Sequence, residues 1–402
     1  MKLKSYKIIE FIIFIIFLNP LICFLLFTLG FKINFHSINI FLLFIITVLS
    51  FLTYSRENKL HIFQIHLFVL LFLIINILMS IYNPINITSS VIDLIGYYIQ
   101  IFSPLMIAVF FLKERINIIE NFVFKIGIVV AFFNLFQYLL MLTSNYDLFI
   151  GYSKFLGMND GYYEDLKALI VNRPLGYYFD VHAQVYLPLF SLILINKFVN
   201  NKLKKFLLIL VILLGLLISG VKTAYLIGLI ILFRRIIQVF DLASIFKTFL
   251  IIIFSTLILN YYLDSIVFNL IKRIIVHDLE ILLIHLFEIP IFLIMNYPLI
   301  FLLGGQVFME NFIYSEVYLI TLIFHIGIFG IIIYILIPNI ILFIKGNNVQ
   351  KDLVLIFILS LSHYYIFKVG GNIIGTSLIY AYILNLFILK NERKSFSSYN
   401  LL

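Results

Sequence analysis

Residues 8–29 read IIEFIIFIIFLNPLICFLLFTL, an apolar run interrupted only by Glu10, Asn19, Pro20 and Thr28. A helix needs roughly 20 mostly apolar residues to cross the hydrocarbon core of a bilayer. This run has that length. The segment before it, Met1-Lys-Leu-Lys-Ser-Tyr-Lys7, carries three lysines. A cleaved signal peptide has a shorter apolar core followed by small residues at a cleavage site. Neither feature is present before Gly30, so the run is expected to be an uncleaved first span.

Similar runs recur at 38–54, 61–82, 91–112, 119–143, 182–197, 205–220, 222–239, 244–263, 313–344, 352–369 and 374–390. The expected fold is therefore an all-α polytopic membrane protein of about twelve transmembrane helices, a single integral membrane domain over residues 1–402. Composition agrees, with 63% hydrophobic residues, 12% charged residues and a mean hydropathy of +1.15. Soluble chains run near half apolar and a quarter charged. The formal charge of +9 sits in short clusters between apolar runs, a pattern that points to membrane surfaces and not to nucleic acid. The single cysteine, Cys23, excludes an internal disulfide, and no cysteine–histidine spacing suggests a metal site.

Orientation follows from the excess of lysine and arginine in short cytoplasmic loops. With the N-terminus inside, 19 of the 28 Lys and Arg residues fall on the cytoplasmic side and seven on the outer side. Lys125 and Lys368 lie within spans, near enough to the ends to snorkel. Both termini are then cytoplasmic, in the inner or plasma membrane of the cell. Two outer-face segments are long, near 144–181 and 264–312. Within the second, 281–303 is apolar enough to cross. A crossing there would put Lys345, Lys351 and the Lys390–Lys394 tail outside, against the charge rule. Pro290, Asn296 and Pro298 also interrupt it, which suits a re-entrant or surface-lying element.

The polar landmarks come in a fixed order. Asn172-Arg-Pro-Leu-Gly-Tyr-Tyr-Phe-Asp-Val-His-Ala-Gln-Val-Tyr-Leu187 leads into the sixth span. Leu217-Ile-Ser-Gly-Val-Lys-Thr-Ala-Tyr225 forms a polar hairpin between two spans. Gly304-Gly-Gln-Val-Phe, Ser315-Glu-Val-Tyr-Leu and Gly327-Ile-Phe-Gly330 follow. In this order the series resembles the O-antigen polymerase and O-antigen ligase superfamily. Arg173 and Gly176 match that family's Arg-x-x-Gly entry to a mid-chain span. Ser219 to Ala224 is similar to its Ser-Arg-type hairpin, with Lys222 where arginine is usual. Gly304, Gly305, Ser315, Glu316 and Gly327–Gly330 resemble its glycine segment and late span. Ligases usually carry a histidine where that span opens, and Ser315-Glu316 stands there instead, which favours a polymerase.

The resemblance implies an enzyme. It would transfer a growing glycan from undecaprenyl diphosphate to a hydroxyl of the next lipid-linked repeat, on the outer face. That oligosaccharide is the implied partner, with a chain-length regulator and a flippase in the same membrane. No cofactor is implied. Negative charge growing on the leaving diphosphate needs preorganised cations, and arginine matches phosphate with its planar fork. Arg173 is the first candidate and Lys222 the second. Arg273, beside Lys272, is a third. Arg173 suits equally a lipid headgroup contact, Lys222 a snorkelling hairpin lysine, and Arg273 with Lys272 the anchoring of a surface helix. The acceptor hydroxyl needs a general base, for which Glu316 and His277 compete. His182, Lys222, Tyr177 and Tyr318 are the candidate substrate-binding residues. A ligase, and a lipid-linked oligosaccharide flippase, are the alternatives. A flippase is expected to show shorter outer loops and cations along many spans.

Overall fold

The computed structural model describes residues 2–54, 91–111, 115–142, 147–156, 185–219, 287–305, 318–360 and 373–386, together with Tyr177 and isolated positions within 67–78 and 221–232. All regular structure among them is helical. Three of these helices, Lys7–Thr28, Ile116–Met141 and Leu322–Lys345, are long and apolar enough to cross a membrane. Phe35–Leu49, Ile101–Phe110, Tyr186–Phe198 and Ile373–Leu386 are apolar but shorter. The expected runs at 61–82 and 222–239 are described only in part, and 244–263 lies outside the described residues. Large apolar side chains face outward along these helices, Phe11 at 62%, Phe41 at 62% and Leu139 at 60% exposure. Apolar surface on this scale is unusual on a protein surrounded by water.

The chain divides into two compact units, one of residues 1–123 and 292–402, the other of residues 124–291. In the first, α1 (Lys2–Thr28) and α2 (Phe35–Tyr54) form a hairpin, and α3 (Val91–Phe110) packs on α2. Further contributions come from the start of α4 (Ile116–Leu142) and from chain beyond 292.

Proline governs the joints of this unit. A proline inside a helix has no N–H for the carbonyl four residues back. Pro20 thus frees the carbonyl of Ile16 within α1. Asn39 of α2 answers it, its Nδ2 donating to Ile16 O at 3.3 Å while its Oδ1 accepts from Asn19 Nδ2 at 2.7 Å. Both asparagines are buried. The Tyr380 hydroxyl donates to the carbonyl of Tyr334 at 2.9 Å, in the turn that precedes Pro338. Tyr334 in turn donates to Ile101 O in α3 at 2.9 Å, in the turn that holds Pro104. The two tyrosine rings stack at 5.0 Å, and Phe102 meets Tyr334 edge-on. Tyr382 donates to the buried Glu120 carboxylate, tying the helix at Ile373–Leu386 to the start of α4.

In the second unit the remainder of α4 meets α6 (Tyr186–Phe198) and α7 (Lys202–Ile218), with α5 (Asp147–Phe155) nearby in sequence. Small residues let the backbones approach. Gly127 lies so close to α6 that a Cβ would overlap the Leu187 carbonyl and Ser191 Oγ. Ser191 Oγ lies 2.9 Å from Phe124 O and 3.1 Å from Leu187 O, so its proton bridges the two helices. Gly215 of α7 sits against Ala131 in the same manner, a Cβ there falling 3.0 Å from the Ala131 carbonyl. Phe124 stacks on Phe198 at 5.3 Å.

The 289–303 region forms α8 (Ile289–Asn296, 8 residues) and α9 (Pro298–Leu303, 6 residues), broken at Tyr297. At about 1.5 Å per residue, neither helix alone reaches across a hydrocarbon core of about 30 Å.

Asn39→Leu removes both the amide pair and the donor for Ile16 O. It is expected to cost about 1–2 kcal/mol, read as a lower unfolding midpoint in detergent. Gly127→Val places its side chain inside the Leu187 backbone, which cannot step aside. It is expected to cost about 3 kcal/mol and to reduce the monodisperse fraction on size-exclusion chromatography.

Candidate functional site

Two glycine segments singled out in the sequence meet in the 1–123/292–402 unit. Helix α9 ends at Leu303 and runs into Gly304 and Gly305. Helix α10 (Tyr318–Gly330) lies against α9 and is broken at Gly327. Gly304 has φ 79°, ψ −164° and Gly327 has φ 65°, ψ 173°. Both fall in a region of backbone space that essentially only glycine enters. Space selects glycine at Gly327 as well, since a Cβ there would overlap Leu302 O and lie 2.5 Å from Gly304 N. Gly305 N–H donates to Phe324 O at 3.0 Å, closing the contact. All three glycines are buried.

The break is chemically consequential. Helical geometry resumes after Gly327, but the next turns, Ile331–Leu336, wind as a π-helix before α11 (Ile337–Lys345). Non-helical backbone within an apolar region is tolerated only where it is buried in protein or lines a polar cavity. Interrupted helices of this kind present unpaired backbone dipoles to ligands. Tyr318, a candidate sugar contact, opens α10 and so begins the helix that carries the break.

In the 124–291 unit, Tyr177 is 2% exposed. Its ring meets Phe133 edge-on at 5.3 Å, and Phe133 meets Phe149 of α5 in the same way at 6.3 Å. Tyr177, a candidate substrate-binding residue, is therefore part of an aromatic cluster with Phe133 and Phe149. Burial pushes its phenol above the ordinary tyrosine value, so it stays neutral at physiological pH. Ser219 begins the polar hairpin. It is fully buried, its Oγ donating to Leu216 O at 2.5 Å and accepting from Val221 N–H at 3.4 Å.

The sequence reading passed over Asn134 and Gln137, both at 0% exposure in α4. Asn134 follows Ala131 by one turn on the face that packs against Gly215. Neither its Nδ2 nor its Oδ1 meets a hydrogen-bond partner among the described residues. Amides inside an apolar span are functional candidates on that ground alone, a signal available in Phe133-Asn-Leu-Phe-Gln137.

Arg173, His182, Lys222, Arg273, His277 and Glu316 lie outside the described residues, as does Ser315. Among the described residues no group of three or more His, Cys, Asp or Glu side chains is arranged to hold a metal ion. No protein-family model, curated protein or solved structure matches the chain.

Gly327→Ala forces a side chain into glycine-only backbone and into Leu302. Gly330 has ordinary helical angles, φ −62° and ψ −41°. The first substitution is expected to destabilise the protein by about 2–3 kcal/mol and the second by distinctly less, compared through their unfolding midpoints in detergent.

Proposed function

We propose that the chain is a polytopic membrane enzyme that polymerises lipid-linked oligosaccharide repeat units, for an O-antigen, a capsule or an exopolysaccharide. The reading rests on the ordered series of polar landmarks. One structural observation accords with it: two of those landmarks, Gly304-Gly305 and Gly327, form one buried contact around a broken helix.

In the proposed step, a sugar hydroxyl of the incoming repeat attacks the anomeric carbon of the growing glycan. Its proton passes to Glu316 or His277. The bond from that carbon to the diphosphate breaks, and the electron pair leaves with the lipid diphosphate. Arg173, Arg273 and Lys222 supply the positive charge that stabilises it. His182 and Tyr318 bind sugar hydroxyls. Tyr177 stands four residues after Arg173, and its aromatic anchor holds the chain there against α4 and α5.

A flippase for the same lipid-linked repeat is the second reading, and the broken helix at Gly327 favours it, because transporters bind substrate at such breaks. Both readings meet in one experiment. Cells lacking the gene are stained for surface glycan by length. A polymerase predicts loss of the long ladder with single-repeat products retained. Build-up of lipid-linked repeats on the cytoplasmic side identifies a flippase instead. Restoring the gene with Arg173→Ala is expected to give at least about 100-fold less polymer at normal protein levels. Full complementation by that variant sinks the role of Arg173.

A further inference from the structure

The turn between α6 and α7 gathers an unusual concentration of positive charge. Lys197, Lys202 and Lys204 are exposed and Lys205 is half-buried. Lys125 joins them from α4. Its neighbour Phe124 stacks on Phe198, and the Phe124 carbonyl accepts from Ser191, which fixes this stretch of α4 beside the end of α6. Lys125 is itself exposed. No Asp or Glu occurs in the sequence from 181 to 240. The turn is well defined: Asn201 accepts from Lys204 N–H at 3.0 Å and its carbonyl from Lys205 N–H at 2.9 Å.

Charge alone would suit any polyanion. Exposed apolar side chains stand among the lysines, Leu203 at 68%, Leu207 at 50% and Phe206 at 41% exposure. Interleaved lysines and bulky apolar groups match the boundary between headgroups and acyl chains, where lysine stems lie along apolar surface and their ammonium groups reach phosphate. Nucleic acid or an acidic protein would leave those side chains in water.

We propose that this end of the 124–291 unit is a binding surface for anionic phospholipid headgroups of the cytoplasmic leaflet, held by Lys125, Lys197, Lys202, Lys204 and Lys205. It requires the chain to lie in a bilayer, but it does not depend on the glycan chemistry.

The test uses the full chain in neutral detergent, titrated with cardiolipin or with phosphatidylcholine and read by native mass spectrometry. The native protein is expected to prefer cardiolipin. K202Q/K204Q should weaken that preference about fivefold for each lysine removed, with its unfolding midpoint in lipid-free detergent unchanged. The charge-matched K345Q/K351Q variant, altered in the other unit, should keep the preference. Equal binding of both lipids by the native protein overturns the proposal. So does an unchanged preference in K202Q/K204Q, or an equal loss in K345Q/K351Q, which would reduce the effect to net charge. No glycan takes part in the assay, so its failure and the failure of the polymerase reading are separately visible.

Discussion

A backbone carbonyl surrounded by apolar atoms has no water to accept from, and leaving it unbonded is costly. In a chain this apolar, that constraint imposes helices wherever sequence allows. It also dictates what must happen where helices are interrupted. Pro20 strips the Ile16 carbonyl of its donor, and Asn39 from a neighbouring helix fills the gap. Tyr380 donates likewise to the Tyr334 carbonyl, in the turn before Pro338. Interhelical hydrogen bonds such as these join the helices of the 1–123/292–402 unit. They fix which helices neighbour each other more sharply than apolar contact could, because apolar faces slide and hydrogen bonds do not.

The same constraint makes the break at Gly327 informative. At Pro20 the structure repairs the loss. At Gly327 the chain instead adopts backbone angles open essentially to glycine alone, faces a second such glycine at Gly304, and closes the contact through Gly305 N–H to Phe324 O. Glycine at these positions is what lets the backbones of α9 and α10 touch there.

The two units use different means to the same end. In the first, aromatic hydroxyls and amides join helices. In the second, Gly127 and Gly215 bring backbones into contact and Ser191 bridges them. Close contact leaves little room for adjustment, and Asn134, one turn beyond Ala131, is enclosed without a hydrogen-bonding partner among the described residues. A cluster of lysines in this unit lies elsewhere, at the α6–α7 turn. The lysines there suit a phosphate-rich surface.

The sequence by itself determined that the described structure is helical and where most helices run. The expected run at 119–143 meets a helix at Ile116–Leu142, and 205–220 meets Lys202–Ile218. Length and hydropathy are local properties, so a single pass along the chain reads them. It also marked Gly304, Gly305 and Gly327 as unusual, but not that they touch. Partners lay beyond sequence as well: Asn39 with Asn19, Tyr380 with Tyr334, Tyr382 with Glu120. So did the burial of Tyr177 against Phe133 and the enclosure of Asn134. These depend on which helix faces which, over separations as large as 262 residues. Isoleucine, leucine and phenylalanine make every face of these helices nearly equivalent in sequence, and only the tertiary structure decides which of them turns inward.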